Sequence, residues 1–195
     1  MDNYEYIIAS LPVLQQDDRN AANLDVEDIH TQIFEQLSGR DRVYFAQLLD
    51  GFDPAKLDED FYRKALASPC AFLRDYFTYD MQVRNTKVEY LNRELGRPEG
   101  MDIMELEEDS ENEFEGKDEV KEVLSTPDLI GREKGLDDLM WQKCEELTLM
   151  HVFDFSVILA FTAKLQIIDR WLKLDPETGR ELFRKLVNEI RNSNK

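Results

Sequence analysis

Glycine and proline are scarce in this sequence, with 8 glycines and 6 prolines among 195 residues. Turns are therefore few, and the strong periodicities along the chain are helical. Cysteine is scarcer still. The two cysteines, Cys70 and Cys144, exclude a disulfide-rich scaffold and fit a reducing compartment. Neither belongs to a CxxC pair, which argues against a structural zinc site. We predict an all-α protein.

Basic residues are also few. The chain has 24 Lys and Arg against 42 Asp and Glu, which gives a formal charge of −18. Such a charge disfavours binding to nucleic acid or to an anionic membrane surface, since both would repel the chain. Met1 is followed at once by acidic residues, so we expect no signal peptide. The most apolar stretch, Leu147 to Leu172, is interrupted by five charged or His residues and does not predict a transmembrane helix. We expect a cytoplasmic protein without direct membrane insertion.

The apolar spacing predicts two helical halves, residues 1–98 and 132–195, that pack on each other as one domain. In the first half we expect helices over 24–37 with Asp25 as the cap, from Asp41 to Asp50, over 58–67 with Asp58 as the cap, and from a Ser68 cap to about Leu95. In the second half, apolar residues recur at steps of three and four from Leu136 to Leu174, which predicts one long helical segment. Its stretch over 150–161 should be the most buried element. A last helix is expected from Pro176 to Ile190.

The segment between the halves is strongly acidic. Residues 99–122 hold twelve acids and two Lys, a net charge of −10. Apolar residues are sparse there, so ordering the segment would be poorly compensated. We predict a partly disordered, solvated acidic connector over 99–131 between halves with long antiparallel helices. A short helix near 118–124 and packing of Phe114 are expected within it.

Motifs for chemistry are largely missing. The Gly131 to Gly135 segment lacks the spacing of a phosphate loop, and the acidic run lacks the pattern of a calcium loop. The ExxH pair of Glu27 and His30 lacks the second motif and the further acids of a di-iron site. Cys70, at a helix start, is best explained as a structural thiol. We predict no catalytic, cofactor-binding or metal-binding residues, and no cofactor.

Two carboxylates lie within apolar stretches, where we expect each to have a polar or basic partner. Asp80 follows Phe77-Thr78-Tyr79, and Asp154 lies within Val152-Phe153-Asp154-Phe155. A carboxylate buried in an apolar helix is costly unless it is paired, and the alternative is that each faces a groove or water. We expect Asp80 to pair with Arg84, one turn on, and Asp154 to pair with Arg84, Lys87 or Arg74.

These positions also support a family resemblance. Asp80 is followed five residues later by Asn85, in an apolar helix that continues to Leu91 and Arg93. This pattern, and the opening with Tyr4 and Tyr6, resemble the C subunit of V/A-type ATPases, called d in the eukaryotic enzyme. They also resemble a short bacterial relative encoded near such ATPases. The second half repeats the acid, Asp154, and the apolar run without the Asn. The resulting interaction or structural residues are Tyr4, Tyr6, Asp80, Arg84, Asn85 and Asp154.

The resemblance implies an all-helical, non-catalytic coupling subunit that links the rotor shaft of a V/A-type ATPase to its membrane ring. Its partners would then be proteins, and it would lie peripheral to the inner membrane through the complex. One alternative is a free-standing helical adaptor or regulator. Another is an enzyme that uses Asp80 or Asp154 as a tuned acid or base. An ATPase subunit would co-purify with the ATPase, an adaptor would be found alone, and an enzyme would show a pocket at one of these carboxylates.

Overall fold

The computed structural model of the protein describes residues 4–16, 24–105 and 114–174. Within these ranges the chain forms eight helices and no strand, so the predicted all-α class is confirmed. The predicted last helix over 176–190 lies outside the described residues. The helices, in chain order, are α1 (Glu5–Ser10), α2 (Val26–Gln36), α3 (Gly39–Asp50), α4 (Glu59–Leu66), α5 (Ala71–Glu94), α6 (Lys117–Leu124), α7 (Leu129–Thr148) and α8 (Phe155–Lys173).

Several helices begin at a side-chain cap. Asp25 accepts a hydrogen bond from the amide of Asp28 at 3.0 Å, and Asp58 accepts one from the amide of Phe61 at 2.8 Å. Each bond satisfies a backbone N–H that has no partner within its helix. The predicted caps of α2 and α4 are therefore confirmed.

Two other helix starts differ from the prediction. Helix α3 begins at Gly39 rather than at Asp41, because Ser38 caps it by accepting a hydrogen bond from the amide of Asp41 at 3.3 Å. Ser68 does not cap α5, which begins at Ala71. Its hydroxyl instead accepts a hydrogen bond from the amide of Cys70 at 3.2 Å, within the turn that precedes the helix.

The predicted continuous helix over 136–174 is wrong. The chain leaves α7 after Thr148 and enters α8 at Phe155, and Asp154 caps α8 by accepting a hydrogen bond from the amide of Ser156 at 2.9 Å. The intervening loop is not the most buried element, since Met150 is 88 % exposed. The break lets the two helices fold back on each other, which buries the apolar faces of both.

Contacts along α7 and α8 show that they run antiparallel. Asp137, near the middle of α7, accepts hydrogen bonds from Arg170 and, at 2.6 Å, from the indole of Trp171, late in α8. Glu145, late in α7, forms an ion pair with Lys164 at 3.1 Å. Helix α5 packs against α4, α6 and α7 and lies at the centre of this arrangement. Its largest buried side chains are Phe72, Leu73, Tyr76, Phe77 and Met81.

Described parts of the acidic segment pack on this core. Helix α6, which confirms the short helix expected near 118–124, contacts α5 and α7 and buries Val120 completely. A Cβ at Gly135 of α7 would lie 2.6 Å from Val123, so the missing side chain permits this close approach. The charged side chains of Asp118 and Glu119 stay exposed. Helix α6 is therefore not fully solvated, because a few apolar residues anchor it to the core.

Candidate functional site

Tyr4 is buried and joins three parts of the fold. Its hydroxyl donates a hydrogen bond to Asp41 at 2.6 Å and accepts one from the amide of Ser38 at 3.2 Å. Its own amide donates to the carbonyl of Phe153 at 3.0 Å. Burial, and then the hydrogen bond to Asp41, raise the pKa of the Tyr4 phenol. Tyr4 thus fixes α1 to the start of α3 and to the loop between α7 and α8.

Asp80 lies in a polar cluster with Tyr62 and Arg84. Its carboxylate accepts hydrogen bonds from the Tyr62 hydroxyl and, at 2.8 Å, from Arg84 Nε, which confirms the predicted pairing with Arg84. Burial, with the Asp80 charge next, raises the pKa of Tyr62. Burial alone would lower the pKa of Arg84, but the Asp80 carboxylate outweighs it and the pKa is raised. The cluster joins α4 to α5 and leaves the Arg84 side chain exposed.

Asn85 holds a backbone segment against α5. Its side-chain amide donates to the carbonyl of Met104 at 2.8 Å, and its carbonyl oxygen accepts from the amide of Met104 at 3.0 Å. About two turns later, Asn92 donates to the carbonyl of Met101 at 2.7 Å. The Asn of the predicted motif therefore has a structural role in docking residues 101–104.

The prediction that Asp154 has a polar partner is confirmed by His151, whereas its expected place in a helix interior and the three bases that we named are wrong. The residue is a helix cap rather than part of a helix interior, and its second oxygen lies 2.5 Å from His151 Nδ1. The bases that we expected beside it have other carboxylate partners. Lys87 pairs with Glu133 at 2.6 Å and Arg74 with Asp75 at 3.2 Å. Asp154 needs no distant base because the N–H groups of the α8 terminus solvate it.

An exposed apolar loop lies beside α1. The side chains of Leu149, Met150, Val152 and Phe153, which we call the apolar tip, are all exposed at the end of the α7 and α8 pair. The bond between the Tyr4 amide and the Phe153 carbonyl holds α1 against this loop, and Tyr6 on α1 is 82 % exposed. Contiguous exposed apolar side chains are typical of interaction surfaces.

The apolar tip was missed by reasoning from sequence. Its residues continue the three and four spacing of the flanking helices, and this spacing predicts a buried helix face. One local signal was available, because an Asp that directly precedes an apolar run is a common helix cap. Interpreted as a cap, Asp154 places residues 149–153 in a loop.

The thiols and the histidine of the sequence analysis show no sign of activation. Burial raises the pKa of Cys70, despite its position at the start of α5, and raises that of Cys144 to about 12. Burial lowers the pKa of His30, whose Nε2 lies 3.3 Å from the amide nitrogen of Gln166. In the ranges the structure describes, no three His, Cys, Asp or Glu residues are grouped so as to hold a metal ion.

The fold and this surface define an all-helical protein with buried polar anchors and an exposed apolar tip. None of the helices in the described ranges combines the length and the apolar character that crossing a bilayer requires. Residues 53–194, more than half of the chain, match a protein family described as "Protein of unknown function (DUF2764)". The chain belongs to this family. No curated protein matched it, and no solved structure did.

Proposed function

We propose that this protein is a non-catalytic coupling subunit of a V/A-type ATPase, which links the rotor shaft to the membrane ring through protein contacts. The observation that supports this proposal best is the apolar tip, because a coupling subunit needs an exposed apolar surface for a partner. The resemblance of Tyr4, Tyr6, Asp80 and Asn85 to the C subunit family supports a V/A-type ATPase as the complex. The protein would then be cytoplasmic and peripheral to the inner membrane.

The apolar tip is suited to binding because it is held in place before a partner arrives. The Asp154 cap fixes the start of α8, and the bond from the Tyr4 amide fixes the Phe153 carbonyl. A preordered surface loses less conformational entropy on association than a mobile loop. Each large apolar side chain that a partner buries contributes about 1.5–3 kcal/mol. A few such residues are enough to dominate an interface.

The buried polar clusters favour a non-catalytic role. Asp80, the best candidate for a tuned acid, uses its carboxylate to bind Tyr62 and Arg84. Asp154 uses both oxygens at a helix terminus. Groups with these partners are occupied in holding helices together. We also propose the two-halves arrangement, with α1–α5 as the first half and the antiparallel α7 and α8 as the second.

Affinity purification from the native cell tests the proposal. The tagged protein is purified from gently solubilised membranes, next to the double variant Leu149→Ser/Met150→Ser. The matched control is Leu129→Ser/Ile130→Ser, which makes the same kind of change at two exposed residues in the first turn of α7. We expect the wild type and the control to retain the catalytic and ring subunits of the ATPase, and the tip variant to lose most of them.

Two results would contradict the proposal. Recovery of the wild type without ATPase subunits, together with intact proton pumping in a deletion strain, would favour the free-standing adaptor. Equal retention by the tip variant and the control would show that the apolar tip is not the contact. Far-UV circular dichroism and the urea midpoint of each variant establish that a loss of partners is not a loss of folding.

A further inference from the structure

A groove between α5, α6 and α7 has an aromatic floor. Its volume is about 760 Å³. Tyr79 of α5 and Phe114, just before α6, meet edge to face with ring centroids 5.5 Å apart, and Leu139 of α7 completes the floor. A Cβ at residue 116 would lie 2.9 Å from the Phe114 ring, so Gly116 leaves the space that this ring occupies. The floor is thus a packed part of the fold.

The walls of the groove are acidic. Glu115 and Glu119 line it from the α6 side, and Glu146 lines it from α7. Lys143 Nζ lies 3.0 Å from both Glu146 oxygens, so this one carboxylate is already neutralised. Neither Glu115 nor Glu119 has an ion-pair partner among the described residues, and both are exposed. Two negative charges therefore face the groove without a compensating cation.

The groove already holds one cation against its floor. Lys143 Nζ lies 5.3 Å from the centroid of the Tyr79 ring, a cation–π geometry. Burial, and then the charges of Glu119 and Glu146, raise the pKa of Tyr79 to about 12. The Tyr79 phenol therefore experiences the negative potential of the walls. Phe114 adds a second ring to which no cation in the described part of the chain is bound.

We infer that this groove binds a basic segment of a partner protein, with an arginine guanidinium against Phe114 and between Glu115 and Glu119. The choice of occupant follows from charge complementarity, because two uncompensated carboxylates above an aromatic floor attract a planar cation. Arginine fits better than lysine, since its flat guanidinium stacks on a ring and hydrogen-bonds to two carboxylates at once. The inference rests on the proposed function only in that the partner is a protein, and its residues are separate from the apolar tip.

A peptide titration tests the charged walls. The probe is a capped, fluorescently labelled octapeptide of alternating arginine and alanine, and fluorescence anisotropy is recorded at 50 and 150 mM salt. The groove variant Glu115→Gln/Glu119→Gln is compared with Glu35→Gln/Glu94→Gln, two exposed acids on α2 and α5 that change the net charge equally. We expect the dissociation constant to rise about five- to tenfold in the groove variant and less than twofold in the control. Equal effects in both variants would mean that the peptide senses only the overall charge of −18, and would overturn the inference.

A second comparison tests the aromatic floor. Phe114→Leu keeps an apolar side chain and removes the ring, so affinity for the arginine peptide should fall about two- to fivefold. A peptide with citrulline in place of arginine should not bind at all, because it keeps the shape but not the charge. Unchanged affinity of Phe114→Leu, or binding of the citrulline peptide, would contradict the inference.

The two proposals can fail separately. Wild-type protein that binds the arginine peptide through the groove but recovers no ATPase subunits would leave the inference standing and remove the proposed function. If the groove variant recovers the ATPase as well as the wild type does, and the wild type does not bind the peptide, the proposed function would stand and the inference would fail.

Discussion

The hydrogen bond between Tyr62 and Asp80 allows a specific prediction about the stability of the protein. Tyr62 is 2 % exposed, and the Asp80 side chain is 13 % exposed. Tyr62→Phe removes only the hydroxyl that donates to Asp80 and keeps the ring packed against Phe61 and Phe77. A hydrogen bond to a charged group contributes about 1.5–3 kcal/mol. We expect a loss near the lower limit, because Asp80 keeps its bond to Arg84 and some contact with water.

The corresponding fall in melting temperature can be estimated. For a chain of this size, 1 kcal/mol corresponds to roughly 2–4 °C. A loss near the lower limit of about 1.5 kcal/mol should therefore lower the melting temperature of Tyr62→Phe by roughly 3–6 °C. The control is Tyr6→Phe, which removes the same hydroxyl from an exposed ring and should change the free energy of unfolding by less than about 0.5 kcal/mol.

A double-mutant cycle isolates the contact itself. Urea unfolding, followed by circular dichroism at pH 7, is measured for Tyr62→Phe, Asp80→Ala and the double variant. Because the two side chains are in direct contact, we expect a coupling energy of about 1 kcal/mol or more. A coupling energy within about 0.3 kcal/mol of zero would refute the reasoning. Asp80 would then lose its structural explanation and become a candidate acid or partner contact again.

Three further predictions concern other parts of the fold. Gly51→Ala would push a methyl group into the Phe77 ring, so urea unfolding should show a loss of about 1–3 kcal/mol, whereas Gly39→Ala meets nothing within 4 Å and should be tolerated. Because the folded state binds the Tyr79 proton more tightly, up to a pKa of about 12, Tyr79 should contribute a fall in the urea midpoint as the pH rises from 10 to 12. Tyr79→Phe should reduce that fall. Cys144, buried and with its pKa raised to about 12, should react with a thiol reagent at pH 8 only as fast as the protein opens, and rapid reaction would contradict its burial.

Local features of the fold could be predicted from the sequence because their interactions lie within a few residues. Asp25 and Asp58 cap their helices through bonds to the third residue on, and the Asp80 to Arg84 pair spans one turn. Such contacts depend on helix geometry alone. The end of α5 near Leu95 could be predicted in the same way, from the glycine that comes after it.

The remaining features depend on contacts between distant residues. The bond from Tyr4 to Asp41 joins residues 37 apart, and the clamp of Asn85 on Met104 joins residues 19 apart. No spacing rule predicts such pairs. The break before α8 could not be predicted for another reason. The apolar residues of the loop continue the helical spacing, and only the packing of α7 on α8 decides where the chain turns.

The positions of the motif residues distinguish side chains that hold the fold together from side chains that could contact a partner. Tyr4, Asp80 and Asn85, which support the resemblance, all bond to other parts of the same chain. These three residues hold the chain together, whereas Tyr6, which also belongs to the resemblance, is 82 % exposed beside the apolar tip. Under the proposed function, partner binding would depend on exposed residues such as those of the tip. Changes at Tyr62 or Asp80 should therefore lower the melting temperature before they affect partner recovery, whereas changes at the tip should lower recovery and leave the melting temperature unaltered.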